Sequence, residues 1–195
     1  MNDVIETILK RRSIRAYKEE QIPDEDLKIL LTCALYAPTG GNLQNSRFLV
    51  IQKPEFLSEL NEAIQKNLAA REAVLGEMMT KGILRARTPG YHFIFHAPTL
   101  ILAVAPRDHS NSMANCCCGL ENIQIAAASM GLGSCWSNQL RWLTGEKEIR
   151  ERLKKVGLRD DEDVFGGVSV GYPAVEPRKA AERREGRIQT DRGIV

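Results

Sequence analysis

Residues 113–137 read MANCCCGLENIQIAAASMGLGSCWS, and the architecture turns on this stretch. Met113 to Met130 is apolar on nearly every side, the pattern of a helix buried at the centre of a molecule rather than laid on its surface. Gly131 follows as a left-handed cap. A helix of that kind needs layers on both sides, and the neighbouring segments can supply them. Pro98 to Ala105 (PTLILAVA) is a continuous apolar run, which predicts a strand covered on both faces. Ser46 to Gln52, with Phe48, Val50 and Ile51, and Val164 to Gly171 predict two more strands. Helices are expected where Leu27, Leu30, Leu31, Ala34 and Leu35 follow the acidic turn Asp24-Glu25-Asp26, and where Leu57, Leu60, Ile64 and Leu68 follow Pro54. A third is expected between Thr144, read as its N-cap, and Gly157, carrying Ile149, Leu153 and Val156. Strands separated by helices predict a mixed α/β sandwich around one sheet. With no repeat, linker or break in composition, residues 1–195 are expected to form a single domain.

Composition narrows the function. With 43% hydrophobic and 27% charged residues, the chain is neither disordered nor fibrous. A net charge of +2 argues against a nucleic-acid partner, and the six basic residues of the tail 174–195 are interleaved with four carboxylates. The five cysteines are odd in number and three are adjacent (Cys116, Cys117, Cys118), which fits a reducing cytoplasmic setting. Those three fan around a helix, so they read as small core residues and not as a metal site. The N-terminus predicts an amphipathic helix with Val4, Ile5, Ile8 and Leu9 on one face, not a signal peptide. The most apolar run falls far short of the ~20 residues that cross a bilayer, so no membrane role is expected. Gly76 to His92 mixes Met78, Met79, Ile83 and Leu84 with Lys81, Arg85 and Arg87 without a clean period, and reads as a mobile cover. His92, His96 and His109 lack the glutamate of a helical zinc motif, so no metal site is expected.

Three segments carry chemistry. Arg11, Arg12, Ser13 and Arg15 put three guanidiniums and a hydroxyl within five residues, a phosphate-binding set. In an extended chain Arg11, Ser13 and Arg15 share one side; the plainer alternative is that these arginines complement a helix C-terminus. In Pro38-Thr39-Gly40-Gly41-Asn42-Leu43-Gln44 the glycines permit close backbone approach, and the Asn42 and Gln44 amides match the edge of a flat heterocycle. Gly131 to Trp136 (GLGSCW) offers backbone N–H groups but lacks the third glycine of a dinucleotide fingerprint.

Taken together, the segments RRSIRAY, APTGGNLQ, GLGSCW and GYPAVEPRK, in that order, closely resemble the FMN-dependent nitroreductase family over nearly the whole chain. The resemblance implies a central, mostly antiparallel sheet flanked by helices, in a homodimer that exchanges C-terminal arms. It implies that Arg11, Arg12, Ser13 and Arg15 hold the FMN phosphate and ribityl end, with Arg178 or Lys179 returning to the phosphate. Pro38, Thr39, Gly40, Asn42 and Gln44 would reach the flavin of the partner subunit, and Ser134, Cys135 and Trp136 would lie in a loop beside the isoalloxazine. NADH or NADPH would act as a transient co-substrate, passing hydride through flavin N5 to a nitroaromatic, quinone or similar flat acceptor. Asn45-Ser46 and Glu176 depart from the family pattern. Alternatives are reductive dehalogenation of an aromatic, with the 76–92 segment closing over it, or an FMN-binding dimer without turnover.

Overall fold

The computed structural model describes residues 1–74 and 77–194. Gly76, where the irregular segment begins, and the terminal Val195 lie outside the described residues. The chain opens with α1 (Asp3–Lys10), in which the Asn2 side chain accepts the Ile5 N–H at 3.0 Å. Next comes α2 (Asp24–Leu35), whose first turn carries Asp24, Glu25 and Asp26 at the positive end of the helix dipole. Then follow β1 (Arg47–Ile51), α3 (Pro54–Ala69), α4 (Met78–Ala86) and β2 (Thr99–Pro106). The second half comprises α5 (Ser112–Ser129), β3 (Gly133–Ser137), α6 (Gln139–Leu143), α7 (Lys147–Lys154) and β4 (Glu162–Gly171), and ends in a small hairpin of β5 (Gln189–Thr190) and β6 (Gly193–Ile194).

The main sheet runs β1-β2-β4-β3 with every pairing antiparallel, as expected. Both faces are buried, and the period of two along β2 sorts its side chains between them. Leu100, Leu102 and Val104 join α3, α4, α6 and α7 in one core through Leu60, Ile64, Ile83, Leu143 and Leu153. Ile101, Ala103 and Ala105 face α2 and α5 in the other, through Leu30, Ala34, Cys116, Leu120, Ile123 and Ala127. The central helix is therefore α5, as its composition predicts. It ends at Gly131, whose φ of 73° is the left-handed cap that glycine adopts without strain.

Four expectations need correction. GLGSCW is not a loop: Gly133–Ser137 is an edge strand paired with β4 from Gly133↔Gly171 to Ser137↔Gly167. The 76–92 segment contains α4, which sends Ile83 and Ala86 into the core, so it is not merely a cover. Thr144 does not cap α7, which starts three residues later; its hydroxyl accepts the Val164 N–H at 3.2 Å and so ties α6 to β4. Of the adjacent cysteines only Cys116 is buried; Cys117 is half-buried and Cys118 exposed, because the helix turns them through successive directions.

Candidate functional site

The arginine segment lies against the free edge of β3. The Ile14 N–H donates to the Ser134 carbonyl at 2.9 Å, and Ser13 and Ser134 form a parallel bridge. At the other end of the same residue, the Tyr17 hydroxyl donates to the Ile14 carbonyl at 2.8 Å. The backbone of Tyr17 in turn bridges Pro173, just past β4. Close approach is possible because residue 133 is glycine: a Cβ there would sit 2.9 Å from the Ile14 side chain. The segment is thus extended and anchored, and its side chains alternate. Ile14 is buried while Ser13 and Arg15 are exposed. Arg12, on the Ile14 side, turns back to its own helix and donates to the Leu9 carbonyl at 2.7 Å, which is the helix-terminus role. Its Nε is buried and has no hydrogen-bond partner.

Arg11, Ser13 and Arg15 share the opposite side, as alternation predicts. Their common neighbour is the Cys135 thiol: burial pushes its pKa up, and Arg15, the Ser13 hydroxyl, Arg85 and Arg11 pull it back. A thiol buried to that degree stays protonated and packs, so Cys135 is not an exposed redox thiol. Trp136 points to the other face of the sheet, against the α5 core, and its indole N–H donates to Asn138 Oδ1 at 2.7 Å.

Two hollows flank this edge. One, of about 220 Å³, is lined by Arg11, Arg12, Ser134, Gly131, Pro173 and Pro177. Arg178 and Lys179 follow Pro177 directly and are exposed. The second, of about 380 Å³, is lined by Arg15, Tyr17, Arg85, Tyr91, Phe95 and His96, among others. Among the described residues, the only carboxylate within ion-pairing distance of Arg11, Arg12 or Arg15 is Glu121, 3.7 Å from Arg11 Nε.

The turn after α2 lines neither hollow. It is held from α5: Asn115 Oδ1 accepts the Gly40 N–H at 3.1 Å, and Asn115 Nδ2 donates to Asn45 Oδ1 at 3.2 Å. Thr39 Oγ1 accepts the Gln44 N–H, and the Gln44 amide donates to Asn42 Oδ1. Asn42 and Gln44 both hold positive φ, 54° and 47°, an uncommon conformation for side-chain-bearing residues. Pro38, Asn42 and Gln44 face outward from the molecule, with Thr39 and Gly40 half-buried behind them.

Phe95 carried no signal in the sequence. Tyr17 stood within a quoted motif without a role of its own, Arg85 was one basic residue of the expected cover, and His96 was weighed only as a metal ligand. The His92 and His96 ring centroids lie 4.2 Å apart, His109 Nδ1 accepts the Asn111 N–H, and no group of three metal-ligating side chains occurs among the described residues.

Helical layers cover both faces of the β1-β2-β4-β3 antiparallel sheet, and the arginine segment lies along its outer strand. The chain belongs to the nitroreductase family, whose model matches residues 8–172. It is similar to a nitroreductase with bound FMN from Bacteroides fragilis, at 33% identity and TM-score 0.88, covering 97% of this chain and 99% of that one. It is also 30% identical over 179 residues to the NADPH-flavin oxidoreductase of Vibrio harveyi, covering 91% of this chain and 68% of that protein. A provisionally named NADH dehydrogenase/NAD(P)H nitroreductase of Archaeoglobus fulgidus is 29% identical over 180 residues, covering 90% of this chain and 88% of the other.

Proposed function

We propose that this protein is an FMN-dependent NAD(P)H oxidoreductase that delivers two electrons to nitroaromatic, quinone or similar flat acceptors. The observation that carries the reading is the anchored run of Arg11, Ser13 and Arg15 on one side of a strand, opposed by a single distant carboxylate. Such a set suits a phosphate monoester, for which guanidinium forks provide paired charge-assisted bonds. The unpartnered, buried Arg12 Nε beside the 220 Å³ hollow fits the same anion. Arg178, with Lys179 next to it, leaves Pro177 at the rim of that hollow and can close it from the C-terminal side. The FMN-bound relative from Bacteroides fragilis supports the choice of cofactor.

When bound, the flavin supplies a centre able to accept and return a hydride. The chain's own work is to bind, orient and set charge. Arg11 and Ser13 would grip the phosphate end, Arg12 would back them with its charge from the helix terminus, and Arg15 would lie toward the ring system, where a cation favours the anionic reduced form. The backbone of Ser134, Cys135 and Trp136 provides a rigid strand edge against which a planar ring can lie. For a nitro acceptor the sum is ArNO2 + NAD(P)H + H⁺ → ArNO + NAD(P)⁺ + H2O, and the nicotinamide is a passing substrate that needs no dinucleotide fold.

The reading extends to a homodimer forming one domain per chain in the cytoplasm. Amphipathic α1 buries none of its residues, and Val4, Ile5, Ile8 and Leu9 are 45–62% exposed. A second copy of the chain, with its tail wrapped across, would cover them and bring Pro38, Thr39, Gly40, Asn42 and Gln44 to the partner's flavin. The test is direct. Purified protein should be yellow and bleach with NADH or NADPH, and nitroaromatic, quinone and halophenol acceptors should restore the colour to different extents. Arg15→Ala should weaken FMN binding by about 1.5–3 kcal/mol. A colourless protein that takes up no added FMN would overturn the reading.

A further inference from the structure

The 380 Å³ hollow next to this edge has features that a flavin phosphate does not require. Two guanidiniums sit over one aromatic ring: Arg85 Cζ lies 4.9 Å and Arg15 Cζ 5.9 Å from the Phe95 centroid. Neither has a carboxylate within ion-pairing distance among the described residues, and no acidic side chain lines the hollow. Two like charges on one ring repel each other unless an anion lies between them. The ring itself is held in place at a cost in backbone conformation. Phe95 and His96 are consecutive residues with φ of 57° and 59°, a conformation that side-chain-bearing residues avoid. The His96 N–H donates to His92 Nδ1 at 3.2 Å, and the neighbouring Phe93 N–H donates to Asn61 Oδ1 at 3.0 Å, which together bolt the bend. Strain of this kind persists where a side chain must be presented in one place.

The adjoining hollow, of about 830 Å³, shares Tyr91, His92 and His96 but carries Glu19 and Glu62. The two spaces therefore differ in sign, and only the smaller favours an anion. Its volume is in the range of small-molecule sites, about 300–1,000 Å³.

We propose that Arg85, with Arg15 and the Phe95 ring, forms a subsite for an aromatic carboxylate, so that the preferred acceptor is an aromatic acid. The proposal rests on the oxidoreductase reading above and names its substrate class. The carboxylate is held between the two guanidiniums that Phe95 positions, and the substrate ring lies in the hollow beside them. Arg85 is a specificity residue here. It lies on α4, outside the phosphate-binding run, and its side chain makes no hydrogen bond or ion pair with another described residue.

Titration calorimetry with 4-nitrobenzoate and its uncharged isostere 4-nitrobenzamide, on flavin-loaded and flavin-free protein, tests this. The carboxylate should bind about ten-fold tighter than the amide to the native chain. Arg85→Gln should abolish that preference while amide affinity stays within about two-fold, and Arg85→Lys should retain part of it. In turnover, Arg85→Gln should raise KM for the acid and leave kcat unchanged, as expected for uniform binding. Equal affinity for acid and amide in the native chain, or a preference that survives in Arg85→Gln, overturns the subsite. A chain that discriminates between the two ligands yet takes up no FMN overturns only the oxidoreductase reading; one that holds FMN and does not discriminate overturns only the subsite.

Discussion

Replacing Tyr17 with phenylalanine removes one oxygen from the point where the arginine segment is fastened. That oxygen lies 2.8 Å from the Ile14 carbonyl and 3.0 Å from Ser169 Oγ, and Ser169 Oγ lies 3.2 Å from the Cys135 carbonyl. Two hydroxyl protons serve these three contacts. Tyr17 gives its proton to Ile14, so the Ser169 proton is shared between Tyr17 Oη and Cys135. Burial raises the Tyr17 pKa above the ordinary tyrosine range, which keeps the phenol a donor at every physiological pH. The Tyr17→Phe variant therefore loses one hydrogen bond outright and strands the Ile14 carbonyl, at about 1–3 kcal/mol. For a chain of this length that is a fall of roughly 2–12 °C in Tm. Ser169→Ala should cost less, about 0.5–1 kcal/mol, because the Tyr17 proton still reaches Ile14. The loosened segment carries Arg11, Ser13 and Arg15, so FMN affinity should fall with stability. Thermal unfolding followed by circular dichroism, paired with flavin fluorescence titration, measures both. If Ser169→Ala is the more damaging change, or Tyr17→Phe leaves stability intact, the assignment of protons and the anchoring role are both wrong.

At the far end of the sheet, Glu162 is buried and both its oxygens accept from Arg47 Nη1, at 2.8 and 2.7 Å. Arg47→Met should cost about 3–5 kcal/mol in urea unfolding by stranding that carboxylate, and adding Glu162→Met should recover most of the loss. Burial, with His96 alongside, pulls the His92 pKa from its ordinary 6.5 to about 4. In that window the unfolded chain binds a proton that the native state refuses, so stability should decline as pH falls from about 6.5 to about 4. His92→Asn should flatten that part of the pH profile; an unchanged slope would refute the assignment. Ile8→Asp, on the exposed apolar face of α1, should shift sedimentation from dimer to monomer and cost FMN retention, while a variant that sediments as native would remove α1 from the interface.

Regular periodicity made most of the framework legible. The buried faces of α3 and α5 and the doubly covered β2 follow from side-chain pattern alone. β3 was hidden because Gly-Ser-Cys-Trp-Ser has little intrinsic strand preference; its conformation comes from pairing with β4. α4 was hidden by Gly82, an unfavourable helix residue kept small by Trp142, whose ring would meet a Cβ there at 2.7 Å. Thr144 looked like a cap because threonine before a helical run usually is one, yet its hydroxyl serves β4. In the site, alternation along residues 11–15 foretold which arginines share a side. It could not foretell that Arg12 would return to its own helix, nor that Arg85 would arrive from a distant element. The bend at Phe95 and His96 left no trace because phenylalanine rarely adopts a left-handed backbone and a lone histidine does so too seldom to mark one.

That bend also bears on how this molecule evolves. A glycine at position 96 would relieve roughly 1–2 kcal/mol of conformational energy and make the chain sturdier. It would also release the aromatic platform to wander, because glycine leaves the backbone free to choose other shapes. Saturation mutagenesis at position 96 should therefore recover His96→Gly in a screen for heat resistance and lose it in a screen for turnover. The residue in place spends conformational energy to hold one neighbouring side chain still.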